Sequence, residues 1–170
     1  MVNTTLDTLN PYTTHLALLT KAVQATAGDV LELGVGDGST PVLHRLCAEQ
    51  GRRLVSMDND AKFLERFEFF RSPLHELILI DDWDKADIER PWSVVLVDHR
   101  PGSRRKTDAA RLAPFAEYVV CHDSDPERDR VYKFSRIYKL FKHRFDDDSQ
   151  RPRTTVLSNF RTLDWMKGTT

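Results

Sequence analysis

The sequence predicts an α/β fold: a doubly wound, mostly parallel sheet of seven strands that ends in an antiparallel hairpin. Three observations carry this. Four-residue apolar runs recur at 30–33, 54–57, 77–80, 94–97 and 118–121. Helical patterns fill the stretches between them. Two further strand patterns, 143–146 and 153–159, flank the polar turn Asp147-Asp148-Ser149-Gln150. Strands covered on both faces read as continuous apolar runs. Strands alternating with helices make a parallel sheet.

The elements follow in order. Residues 15–25 place Leu16, Leu19 and Val23 on one helical face. After the first strand, Thr40-Pro41 opens a helix as a cap followed by proline at its first position, and Leu43, Leu46 and Cys47 face inward. Residues 61–70 and 103–112 read as shorter helices. Over 128–142, Phe134, Ile137, Tyr138 and Phe141 keep helical spacing, with Lys133, Arg136, Lys139 and Lys142 as a solvated face.

The chain has 170 residues, enough for one domain. Residues 1–27 are expected to form an N-terminal helix and lid, and 28–170 the ligand-binding core. Lys+Arg is 25 against Asp+Glu 26, a net charge of -1, which argues against a nucleic-acid partner. No apolar run approaches the roughly 20 residues that cross a bilayer. Nor is there a basic-then-apolar leader pattern, so the expectation is a cytoplasmic protein with no membrane partner. Cys47 and Cys121 lie outside any CxxC or zinc spacing and are expected to be buried free thiols.

Every predicted parallel strand ends at a polar residue or glycine: Gly34, Asp58, Asp81, Asp98 and His122. Open α/β sheets bind ligands outside the carboxyl ends of their strands, so these positions outline a site edge. The first strand runs into Glu32-Leu33-Gly34-Val35-Gly36-Asp37-Gly38-Ser39-Thr40, a glycine loop opening on a helix N-terminus. A dinucleotide fingerprint wants GxGxxG. Here the spacing is GxGxG, and Ser39 takes the last glycine's place. Glu32 and Asp37 would repel a pyrophosphate and attract a cofactor bearing a sulfonium and an ammonium.

ELGVGDGS resembles the first motif of class I S-adenosylmethionine-dependent methyltransferases, an acid, one residue, then GxGxG. The resemblance covers most of the chain and implies a Rossmann-like methyltransferase fold with S-adenosylmethionine as cofactor. The loop residues Glu32, Gly34, Gly36, Asp37, Gly38 and Ser39 would hold it. Asp58, about 20 residues past the loop, would take the ribose hydroxyls beside Asn59, although Asp58 or Asp60 would also serve as a helix cap. Asp82, or Asp81 one residue away, would accept from the adenine amino group. Trp83 would meet the base through its backbone N–H or ring, or would anchor the core. Asp98 would meet the methionine ammonium.

Methyl transfer from a sulfonium needs alignment first and a base where the acceptor carries a proton. Asp98, His99 and His122 are the candidates, with His15 near the lid; each histidine also reads as a structural hydrogen-bonding residue. Some O-methyltransferases of this family hold a divalent cation, for which Asp98, His122 and Asp123 would be the ligands. His122 departs from their acid and would tilt a site toward a transition metal. The expectation is nevertheless a metal-free enzyme. Arg100, Arg104, Arg105 and Lys106 would suit an anionic acceptor, or would form a solvated helix face with Asp108 paired to Arg104. Tyr12 and His15 would line the lid side, where Thr13 or Thr14 also reads as an N-cap.

The function implied is methyl transfer to an oxygen or nitrogen of a small-molecule or peptide acceptor. A non-catalytic cofactor-binding regulatory subunit and an NAD-dependent oxidoreductase are the alternatives. The short chain leaves little to shape an acceptor pocket. The acceptor is therefore expected to be small, to lie across an open face, or to be held partly by a second copy of the chain.

Overall fold

The computed structural model describes residues 10–167. The first nine residues of the expected lid lie outside them. The elements are α1 (Leu16–Gln24), β1 (Val30–Leu33), α2 (Ser39–Glu49), β2 (Leu54–Asp58), α3 (Ala61–Glu65), β3 (His75–Leu79), β4 (Trp92–Val97), α4 (Arg105–Leu112), β5 (Ala116–Cys121), α5 (Asp129–Tyr132), β6 (His143–Asp147) and β7 (Thr154–Ser158). The seven strands form one sheet in the order β3-β2-β1-β4-β5-β7-β6. The first five run parallel, with Leu33 beside both Met57 and Val97, and β7 pairs antiparallel with β5 and β6.

Alternate strand residues feed two cores. Val30, Leu54, Val94, Leu96 and Val120 pack against Leu19, Val23, Leu43 and Cys47 of α1 and α2. Leu31, Leu33, Val55, Val95 and Val119 pack against Ala109 and Leu112 of α4, together with Trp83 and Phe134. Both cysteines are buried and free. None of the described helices is long and apolar enough to cross a membrane.

Four expected elements change. The helix over 128–142 breaks after Tyr132. Lys133 turns left-handed at φ 56, two 3-10 turns follow at Phe134–Arg136 and Tyr138–Leu140, and Asp129 accepts from both the N–H and the hydroxyl of Ser135. That local bond competes with helix propagation. Phe134, Ile137 and Phe141 are buried all the same. The strand expected at 77–80 lies at His75–Leu79, at the sheet edge, where Leu79 is 45% exposed. The helix at 61–70 ends at Glu65, with a 3-10 turn at Glu68–Phe70. The helix after the glycine loop starts at Ser39, and Thr40 turns its hydroxyl to Glu32 and does not cap.

Two glycines fix the site's shape. Gly34 has φ +92, and a Cβ there would lie 2.8 Å from the carbonyl of Asp98 and from Cα of His99. A Cβ on Gly38 would stand 3.2 Å from the carbonyl oxygen of Tyr12 and 3.3 Å from Thr13. A side chain at Gly38 would press the segment before α1 a few tenths of an ångström away from the loop.

Candidate functional site

Glu32 shares the sheet face of Val30 and lies beneath the start of α2. It is fully buried and takes hydroxyl donors from Ser39 (2.5 Å), Thr40 (3.0 Å) and Ser56 (2.6 Å). Burial pushes its carboxyl up to about 7, against the pull of those three donors. The chain of contacts continues outward, from Ser56 to His75 Nε2 at 2.9 Å and from His75 Nδ1 to His44 Nδ1 at 3.0 Å. Burial, with His44 alongside, lowers His75 to about 4. Thr40 also accepts from the Gly36 N–H at 2.9 Å. Glu32 therefore braces the glycine loop from below. Asp37, the second acid of the loop, points outward onto Arg66 at 2.9 Å.

Asp58, at the end of β2, is buried and accepts from the N–H groups of Val35 (3.0 Å) and Asp60 (2.9 Å). Burial raises its pKa, and these backbone donors oppose the rise. Asp60, not Asp58, caps α3 through the Phe63 N–H. Asn59 is exposed beside it, as are Asp81 and Asp82, and Asp82 accepts from the Asp84 N–H. Trp83 is buried: its Nε1 donates to the carbonyl of Arg100 at 2.9 Å and its ring lies 4.3 Å from that of His99. The ring anchors the core, which leaves only its backbone for a base.

The ends of β4 and β5 converge with the residues before α1. Asp98 Oδ1 lies 3.2 Å from His122 Nδ1 and 3.0 Å from Arg105. Burial raises the Asp98 pKa, but the His122 bond and the Arg105 charge outweigh it and hold it below the usual carboxylate range. His122 Nε2 faces the Thr14 hydroxyl at 3.2 Å, and that hydroxyl donates to the carbonyl of Pro152 at 2.8 Å. The His15 ring stands 4.5 Å from that of His122, is 1% exposed, and has no hydrogen-bond partner on either nitrogen. Burial, then the neighbouring His122, lowers its pKa to about 4. Tyr12, on the same segment, is 78% exposed.

The basic cluster divides. Arg105 is buried, donates to the backbone carbonyls of Asp98 and His99, and bridges Asp98 to Asp123 (2.9 Å). Arg104 forms two bonds with Asp108, both 2.9 Å, as its i,i+4 spacing predicts, and reaches Asp84. Arg100 is exposed and Lys106 half-buried. His99 is buried with its Nε2 on Asp108 at 2.9 Å; burial lowers its pKa, with Asp108 pulling the other way. Asp123 is left-handed at φ 58 and holds Arg105, Arg128 (2.8 Å) and Tyr132 (3.2 Å). Sequence reading missed the gathering role of Asp108 toward His99 and Arg111; its i,i+3 spacing to Arg111 signals one of these contacts, and nothing local signals the bond to His99. A groove of about 430 Å³ lined by Gly28, Pro91, Trp92 and Phe160 lies away from these residues, at the opposite ends of the strands.

No protein-family model matches the sequence, and neither does any curated protein. Solved structures do match. The O-methyltransferase TomG from Streptomyces achromogenes, in complex with S-adenosylmethionine, has a TM-score of 0.61 at 17% identity over 86% of this chain and 79% of its own. Human methyltransferase-like protein 13, in complex with S-adenosylhomocysteine, has a TM-score of 0.59 at 14% identity over 88% and 80%. A methyltransferase from Thiobacillus denitrificans, also with S-adenosylhomocysteine, gives 0.50 at 21% identity over 66% of this chain and 49% of that one, so this chain spans about half its length. At these identities the likeness is one of fold: the chain has the fold of the class I S-adenosylmethionine-dependent methyltransferases.

Proposed function

We propose that the chain is an S-adenosylmethionine-dependent methyltransferase acting on an oxygen or nitrogen of a small-molecule or peptide acceptor. The observation that carries this reading is the Gly34–Ser39 loop, which lies between Asp58 on one side and the Asp98–His122 pair on the other. The residues present fit the cofactor. A carboxylate offers about four lone-pair sites, and Asp58 uses two on backbone N–H groups, which leaves capacity for two ribose hydroxyls. A Cβ on Gly36 would meet only Ser39 Oγ, at 3.6 Å, so the missing side chain leaves the loop backbone open to a ligand.

When bound, S-adenosylmethionine supplies an electrophilic methyl group on a sulfonium. The chain's own work is alignment and charge. Asp98, anionic and one quarter exposed, would hold the ammonium end. His122 stands beside it at the end of β5, where it would meet the acceptor. Arg104 and Arg105 are spent on internal carboxylates, which leaves Arg100 for an anionic acceptor. The reading also retains Asn59 and Asp82 toward the nucleoside and Tyr12 on the lid side.

The test is a screen of hydroxyl- and amine-bearing acceptors with a methyl-labelled donor. Label transfer that falls at least about tenfold in His122→Gln is expected. No transfer to any acceptor, with donor binding intact, would replace this reading with a non-catalytic binding subunit.

A further inference from the structure

The carboxyl group of Glu32 ends an unbroken row of polar groups that reaches the half-buried His44 on α2. Glu32 Oε2 lies 2.6 Å from Ser56 Oγ, Ser56 Oγ lies 2.9 Å from His75 Nε2, and His75 Nδ1 lies 3.0 Å from His44 Nδ1. Ser56 has one hydroxyl proton. While Glu32 is an anion that proton goes to Glu32, so His75 donates from Nε2, accepts on Nδ1, and His44 donates from Nδ1. While Glu32 is protonated every bond of the row reverses. Glu32 donates to Ser56, Ser56 to His75 Nε2, and His75 Nδ1 to His44 Nδ1. Both arrangements use the same atoms at the same distances. Among the described residues, Ser39 and Thr40 have no acceptor for their hydroxyl protons other than Glu32, so only Ser56 can yield to a proton there.

We propose that His44, His75 and Ser56 relay a proton between solvent and Glu32, so that the charge beneath the glycine loop responds to pH and to a cationic ligand in the loop. In the inward step His44 takes a proton on Nε2 and passes its Nδ1 proton to His75. His75 passes its Nε2 proton to Ser56, and Ser56 passes its hydroxyl proton to Glu32. Only Glu32 ends with a changed charge. Burial pushes Glu32 up to about 7, opposed by its three hydroxyl donors and assisted by the charge of Asp98, so both forms occur at neutral pH. Burial, then His44 and Arg71, lowers His75 to about 4; it stays neutral and keeps the one N–H and one lone pair that a relay needs. Cys47, facing Glu32 from α2, is a thiol pushed up to about 11 by burial and adds no charge. Ionised Glu32 draws charge-assisted bonds from Ser39 and Thr40, roughly twice as strong as neutral ones. Thr40 in turn holds the Gly36 N–H. The consequence for S-adenosylmethionine rests on the methyltransferase reading; the relay itself does not.

The relay is tested on the whole chain, without cofactor, by ¹⁵N NMR of the histidine rings between about pH 6 and 8.5. With rising pH, His75 is expected to change from Nδ1–H to Nε2–H with a midpoint near 7, the titration of Glu32. Glu32→Gln should lose the change. A wild-type His75 that keeps one tautomer throughout, whether or not His44 takes up a proton, would overturn the proposal and leave the row a fixed brace. So would the same change persisting in folded Glu32→Gln. Calorimetry at about pH 7 in two buffers of different ionisation enthalpy reads the response to a cation. S-adenosylmethionine should expel up to about half a proton per chain beyond Glu32→Gln, and more than S-adenosylhomocysteine, which lacks the sulfonium charge. Binding of both with equal release would overturn that response and spare the methyltransferase reading. Binding of neither, with the His75 change present, would uphold the relay and refute the methyltransferase reading.

Discussion

Gly34 and the Asp98 backbone meet in a space that admits no side chain: a Cβ on Gly34 would stand 2.8 Å from the Asp98 carbonyl carbon and oxygen. This approach seats the glycine loop against the end of β4. Gly34→Ala adds both that clash and a non-glycine residue at φ +92. A left-handed strain alone costs on the order of 1–3 kcal/mol. The variant should unfold at lower urea and lose affinity for S-adenosylhomocysteine. Wild-type values in both measurements would mean the loop and β4 are not rigidly coupled.

Arg105 neutralises two carboxylates at once, Asp98 and Asp123. Arg105→Met leaves Asp98 with His122 alone and Asp123 with Arg128 and Tyr132, and breaking such a buried arrangement costs up to about 3–5 kcal/mol. Arg105→Lys supplies a point charge without the fork and should recover only part of that in urea denaturation. Full recovery by lysine would show that charge alone, not the two-pronged geometry, matters.

Glu32 and His75 should give opposing pH slopes. Glu32 titrates at about 7 in the folded state against an ordinary 4.5, so the unfolded chain ionises first and stability falls as pH rises from 4.5 to 7, by about 3 kcal/mol. His75 titrates at about 4 against 6.5, so the unfolded chain protonates first and stability rises with pH between 4 and 6.5, by a similar amount. The two nearly cancel, so the rise left in the wild type between pH 4 and 6.5 is that of His15, which burial also lowers to about 4. Glu32→Gln should steepen that rise by removing the opposing slope, with the thermal midpoint climbing more from pH 4 to 6.5 than in the wild type. A variant profile no steeper than the wild type's would contradict the assignment.

Asp108, fully buried, accepts from His99, Arg104 and Arg111. Burial raises its pKa, and these donors overcome the rise and hold it at about 2. The stability it contributes, about 2 kcal/mol, is complete above pH 3.8 and lost as pH falls through 2. Asp108→Asn should be less stable at neutral pH and show a shallower acid loss, read by denaturation at pH 2.5 and 7.

The central strands were legible because Leu31, Val55, Val95 and Val119 belong to runs covered on both faces. The third strand was misplaced by two residues at its start because this edge strand alternates and does not open on an apolar run: His75 and Leu77 are buried while Glu76 and Ile78 between and beyond them are half-buried. The 128–142 helix was misread because its apolar spacing survives in a chain broken by the Asp129–Ser135 bond. Within the site, strand-end positions pointed to Asp98 and His122. The 3.2 Å contact between them and the arrival of His15 are tertiary facts with no local signal. Arg104 and Arg105 are neighbours with different tasks because successive helical residues point in different directions.

Isothermal calorimetry with S-adenosylhomocysteine tests the methyltransferase reading most directly. Saturable binding at one ligand per chain is expected, weakened at least about tenfold in Asp58→Ala, with the variant's folding checked by circular dichroism. A folded wild-type chain that binds NAD(H) and not S-adenosylhomocysteine, or a folded Asp58→Ala of unchanged affinity, would contradict it.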